Sequence, residues 1–178
     1  MILELENVVA KITSVKPISE KHGKQRVPAH MITFEIEHEN TILIPFDSQL
    51  RSAFYQKPAR SSVDAKSGQK ELDVTRSSDG LTELRFPWWS QWIEIPGELV
   101  GYLVRLHTGN TERSHIVLDE AKLGPFFAMP KEFGMSLLKL RAIVHPTAHE
   151  KGRIDELLQQ EVPITIAPPV DSQGTLNA

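Results

Sequence analysis

Ala29-His30-Met31-Ile32-Thr33-Phe34-Glu35-Ile36-Glu37-His38-Glu39-Asn40-Thr41-Ile42-Leu43-Ile44-Pro45-Phe46 decides the fold class of this chain. Ile32, Phe34 and Ile36 alternate with Thr33, Glu35 and Glu37. A two-residue period becomes one buried face only in a strand, where successive side chains point to opposite sides. Ile42, Ile44 and Phe46 resume the apolar line after Glu39-Asn40, so the stretch predicts a β-hairpin.

Working outward, a first strand is expected from about Ile2 to Val15, with Leu3 and Leu5 on one face, a bulge at Asn7, and Val8, Ala10 and Ile12 beyond it. Lys16 to Arg26 reads as a basic exposed connection around Gly23, with Gly23-Lys24 a hairpin tip. Asp47 and Ser48 are N-cap types, and Leu50 with Phe54 suits a short helix that stops before Pro58. The pattern disappears from 57 to 80, where a flexible loop is expected.

Alternation returns at Leu84-Arg85-Phe86 and at Ile93-Glu94-Ile95. Leu99 to Leu106 is apolar on both faces, as a central strand would be, and a further strand begins at Ile116 to Leu118. Ala121–Met129 and Met135–Val144 form a late hairpin. Thr147 and Glu150 have the spacing of a capping box that opens a helix with Ile154, Leu157 and Leu158 on one stripe. Val162, Ile164 and Ile166 make a last strand, and Pro163 suggests an edge position because it cannot donate to the ladder. The expected architecture is all-β: a sandwich or partly open barrel of about eight to ten strands with two short peripheral helices. It forms one domain over residues 1–168, followed by a disordered tail at 169–178.

Composition narrows the function classes. The chain has 178 residues, 40% hydrophobic and 24% charged, with a formal net charge of -3. That balance gives no global attraction to nucleic acid, so such binding needs a local basic surface. Without cysteine there is no disulfide, thiolate metal site or Cys nucleophile. The acidic start, Met1-Ile2-Leu3-Glu4-Leu5-Glu6, is unlike a signal peptide, and no apolar run approaches the ~20 residues of a membrane helix. A soluble, cytoplasmic protein is the expectation.

No catalytic constellation stands out. Asp119-Glu120 are strand neighbours that point to opposite faces and cannot jointly flank a bond. His145 and His149 straddle a strand-to-helix corner, so their rings need not converge on a metal. We therefore expect no enzyme, no cofactor and no metal. Two features point to binding instead. All three tryptophans, Trp88, Trp89 and Trp92, fall within five positions, with one or two rings expected to plug the core and one exposed for a partner. Cations gather in Lys16, Lys21, Lys24 and Arg26, and again in Arg51, Lys57, Arg60, Lys66, Lys70, Arg76 and Arg85, with Tyr55 among them. A groove of cations and stacking rings is what single-stranded nucleic acid requires.

Ser19-Glu20-Lys21-His22-Gly23 with Val27-Pro28-Ala29, Leu84-Arg85-Phe86-Pro87, and Arg141-Ala142-Ile143-Val144-His145-Pro146 leading to Gln160-Glu161-Val162-Pro163-Ile164-Thr165-Ile166 resemble small proteins of temperate phages and prophages of Gram-negative bacteria. This is an uncharacterised early-region protein family, found near recombination and replication genes, and the resemblance covers nearly the whole chain outside 57–80. Its members tend to carry Gly-Gly in the late hairpin, where this chain has Phe133-Gly134. The resemblance implies a setting and carries over no catalytic residue. Together these features lead to three expectations. The first is a non-enzymatic DNA-metabolism accessory that binds single-stranded DNA or assists recombination or replication. The second is a protein-binding module that inhibits a host nuclease or defence enzyme through Trp88–Trp92. The third is a virion β-sandwich protein. Homo-oligomerisation through the last strand accompanies them.

Overall fold

The computed structural model describes residues 1–58, 80–109 and 111–169, apart from the side chain of His22. The expected loop between 57 and 80 and the expected tail lie almost wholly outside them. The strands are β1 (Leu5–His22), β2 (Gln25–Glu39), β3 (Tyr55–Gln56), β4 (Glu83–Leu84), β5 (Ile93–Ile95), β6 (Leu99–Leu106), β7 (Ile116–Pro130), β8 (Met135–Val144) and β9 (Glu161–Ala167). Helix α1 (Leu50–Phe54) lies between β2 and β3, and α2 (Ala148–Glu156) between β8 and β9.

The fold is β-rich, as the alternation indicates, and its main sheet closes into a six-stranded antiparallel barrel. Around it the strands run β1-β2-β8-β7-β6-β9 and back to β1, with β5 added alongside β7. Long β7 makes closure possible. Its first half pairs with β6 (Ile116 opposite Leu106) and its second half with β5 and β8 (Phe126 opposite Ile95 and Leu140). Ile12, Ile32, Phe34, Ile36, Leu123, Phe126, Leu138, Leu140 and Ile164 fill the interior and are fully buried. The outward residues Glu35 and Lys139 lie opposite each other and form an ion pair at 2.9 Å.

The opening hairpin folds otherwise than its pattern predicts. Its first arm is β2, but β2 pairs with β1 and β8, and Asn40–Leu43 is a 3₁₀ turn. Asn40 explains the break. Fully buried, it donates through Nδ2 to the Leu81 carbonyl at 2.7 Å and accepts from Arg51 Nε at 2.8 Å. A side chain tied at both ends turns the chain inward, so Ile42 and Leu43 join the core while Ile44 stays exposed.

Lys16–Arg26 is also not a loose connection. β1 and β2 remain in register to His22 opposite Gln25, around Gly23 at φ 62°. Asn7 does mark a bulge, at φ 50° with a register shift before Val8. The Thr147 box forms as read: Glu150 N donates to Thr147 Oγ1 at 3.3 Å and Thr147 N to Glu150 Oε2 at 2.7 Å. Helix α1 has Gln49 as its N-cap residue, while Asp47 Oδ1 accepts from Gln49 N. Leu84 is buried, but Phe86 is not, so that alternation ends after two residues.

Strand β9 is not an edge. It lies between β1 and β6, which removes it as a route to dimerisation. Pro163 is tolerated because the N–H and C=O of one strand residue face the same side. Its carbonyl accepts from His107 N at 2.9 Å, just past the end of β6, where the ladder needs no further donor.

Because Phe34 sits fully buried between Ile12 and Leu140, Phe34→Ala should destabilise the barrel by about 3–5 kcal/mol, read as a lower urea midpoint at unchanged slope.

Candidate nucleic-acid and partner interface

The residues expected to form one binding surface are divided between the two ends of β2. Lys21, Lys24 and Arg26 are exposed at the β1–β2 tip. At the other end Glu39 pairs with Met135, beside the turn that holds Phe133, with the tryptophan segment next to it. Gln25 to Glu39 spans up to about 45 Å at strand rise, so no single groove joins the tip cations to the tryptophans.

The tip belongs to a two-stranded ribbon. Pairing with β8 stops at His30 opposite Val144, and pairing with β9 stops at Lys11 opposite Glu161. Ile12 still bonds the backbone of Gln159 and Gln160, just before β9; further along, past His30 on β2, β1 and β2 pair with each other alone. Ile18, Glu20, Val27 and Ala29 form one face, buried or half-buried, where Glu20 Oε2 lies 3.0 Å from His145 Nε2. Pro17, Ser19, Lys21, Arg26 and Pro28 line the opposite face, all exposed. Lys21 is directly opposite Arg26, and among the described residues neither they nor Lys24 meet a carboxylate in an ion pair. Like charges directly across a ladder are unfavourable.

Three expected contact residues are instead committed to the fold. Arg51 is buried on Asn40. Tyr55 is fully buried, donates to the Met135 carbonyl, lies 2.7 Å from Ser136 Oγ and accepts from Lys131 N at 3.2 Å. Burial raises its pKa above 10.0. Arg85 donates from Nε to the carbonyls of Ser52 and Tyr55, at 2.7 and 3.2 Å, and thereby ties the segment at β4 to α1. Lys57 is exposed beside this region, and Arg60, Lys66, Lys70 and Arg76 lie outside the described residues.

None of the tryptophans plugs the core. Trp88 is 74% exposed, with its ring 5.9 Å from Phe86 and 5.8 Å from Trp89. Trp89 Nε1 donates to the Gln91 carbonyl at 3.0 Å. Trp92 lies against the outside of the barrel, its ring centroid 4.0 Å from Lys139 Nζ. Nearby, Leu84, Pro87, Phe133 and Met135 line an apolar cleft of about 520 Å³ whose rim carries Glu83 and Glu132. A second hollow of about 430 Å³ shares Leu84, Pro87 and Phe133 and extends to Trp89.

Phe133 is the exposed aromatic that the pattern did not disclose. It is 84% exposed at φ 58°, in the left-handed region that bulky residues seldom adopt. Its signal was present, since an aromatic at the tip of a turn between two strands has no core to enter. His145 faces Glu20, while His149 is exposed on α2. Among the described residues no group of three or more His, Asp or Glu could hold a metal ion. No described helix is long and apolar enough to cross a membrane.

Tyr55→Phe should cost about 1–3 kcal/mol, because Lys131 N and Ser136 lose their partner. The folded-state pKa of Tyr55 is raised, so above pH 10.0 the unfolded chain ionises first and stability falls as pH rises. Urea melts across that range should show the fall in the parent and lose its Tyr55 component in the variant.

No protein-family model, curated protein or solved structure matches the chain.

Proposed function

We propose that this protein is a non-enzymatic nucleic-acid-binding accessory that grips the sugar–phosphate backbone with its β1–β2 ribbon. The carrying observation is the exposed pairing of Lys21 with Arg26 beside Lys24, on a ribbon whose own acid, Glu20, is turned to the other face. A phosphate between two opposed cations relieves their repulsion, and counterion release adds to the affinity. The resemblance to phage early-region proteins supports a role in recombination or replication. With a net charge of -3 such an attraction has to be local, and the ribbon cations are the reading's source for it.

Three phosphate contacts give a slope of about -2.7 in log K against log salt, so affinity for labelled DNA should fall roughly 40-fold between 50 and 200 mM salt. Lys21→Gln alone should flatten the slope by about 0.9. Fluorescence anisotropy reads both, and no binding at the lowest salt would end this reading.

A second reading has its own observation. Phe133, 84% exposed, lines the apolar cleft, and Phe86 and Trp88, 45% and 74% exposed, flank the Pro87 that lines it; exposed aromatics beside a pocket are the material of protein hot spots. The barrel would then be a protein-binding module, with a host nuclease or defence enzyme as the target class. Trp88→Ala and Phe133→Ala, both surface changes that leave melting unchanged, should each weaken a complex rebuilt from purified components by tenfold or more. Unchanged affinity in both would dismiss the cleft.

A further inference from the structure

We infer that the ligand of the ribbon is double-stranded DNA of B form, entered through its major groove. This rests on the nucleic-acid reading above and names the substrate class for it. From Ile18 opposite Ala29 to His22 opposite Gln25, five cross-strand pairs extend past the last β8 pair over about 16 Å, and the last two of them, with the Gly23-Lys24 turn, lie beyond the Glu20–His145 contact. The B-form major groove is about 12 Å wide and 8.5 Å deep and admits a two-stranded ribbon. The tip beyond the Glu20–His145 contact, which carries Lys21, Lys24 and Arg26, can enter such a groove while the barrel stays outside.

Three further observations favour the duplex over its competitors. Lys16 to His30 contains no Phe, Tyr or Trp, so the ribbon offers no platform on which the bases of a single strand could stack. Pro28 removes a donor from the projecting segment and Pro17 one at its base, opposite His30, which leaves these edges poorly suited to pairing with an added protein strand. Lys21 and Arg26 share one exposed face with Ser19, and Lys24 sits at the turn. Cations at the tip and on a single face suit a groove walled by phosphates. The deep, narrow major groove of A-form RNA would not receive such a ribbon.

The test is fluorescence anisotropy with the full chain and three labelled probes of one sequence: duplex DNA, single-stranded DNA and duplex RNA. Duplex DNA should bind at least tenfold more tightly than either other probe. The major-groove ligand methyl green should displace the protein, and the minor-groove ligand netropsin should not. Lys21→Gln/Arg26→Gln, checked by an unchanged melting curve, should lose tenfold or more in affinity for the duplex. Equal or tighter binding to single strands or to duplex RNA overturns the groove assignment and leaves the nucleic-acid reading standing. Displacement by netropsin alone, or full affinity in the double variant, likewise overturns the assignment. Failure to bind all three probes overturns both.

Discussion

Ring closure is the constraint on which the structure depends. β7 pairs with β6 along one part of its length and with β8 along another, and β9 fits between β1 and β6, so every barrel strand has a neighbour on both sides. Backbone donors and acceptors are thereby satisfied without an edge, and one face of every strand turns into a shared interior. Phe34, Phe126 and Leu140 can be fully buried only because their strands meet across that interior. Closure also explains why β9 can hold a proline: on the side where its missing donor would point, Pro163 only accepts, from His107 N, and no further donor is needed.

Closure leaves function to what lies outside the ring. At one end the β1–β2 pair continues past its neighbours and carries cations on a two-stranded ribbon. At the other, Asn40 and Tyr55 anchor the segments from which Phe86, Trp88 and Phe133 project. A filled barrel sets the distance between these surfaces, so two ligands held at its two ends would not compete for space. A nucleic acid at the ribbon and a protein at the aromatic cleft are compatible occupants of one molecule.

Polar groups within the core deserve a physical distinction from those outside it. Arg51, Tyr55 and Arg85 have the chemistry of contact residues, but Arg51 and Tyr55 satisfy polar groups buried with them, and Arg85 holds the carbonyls of Ser52 and Tyr55. Among the described residues, Lys21, Lys24 and Arg26 satisfy nothing internal. That difference separates binding candidates from structural polar residues, and residue type alone could not draw it.

Alternation in Ile32–Ile36 and in Leu138–Val144, the bulge at Asn7 and the Thr147–Glu150 box were all legible in the chain, because each depends on residues within a few positions of one another. Local chemistry also marked Gly23-Lys24 as a tip. What lay beyond the sequence was which strands meet. Asn40 overrode a good apolar period by bonding to Leu81 and Arg51, distant in the chain, and Pro163 suggested an edge that long-range pairing filled. The tryptophans looked like core material until the interior was completed by Phe, Ile and Leu from other strands. Periodicity and capping are short-range and therefore written in the sequence; pairing partners, and with them the separation of basic and aromatic surfaces, arise from contacts between residues far apart in the chain, so only the tertiary structure decided them.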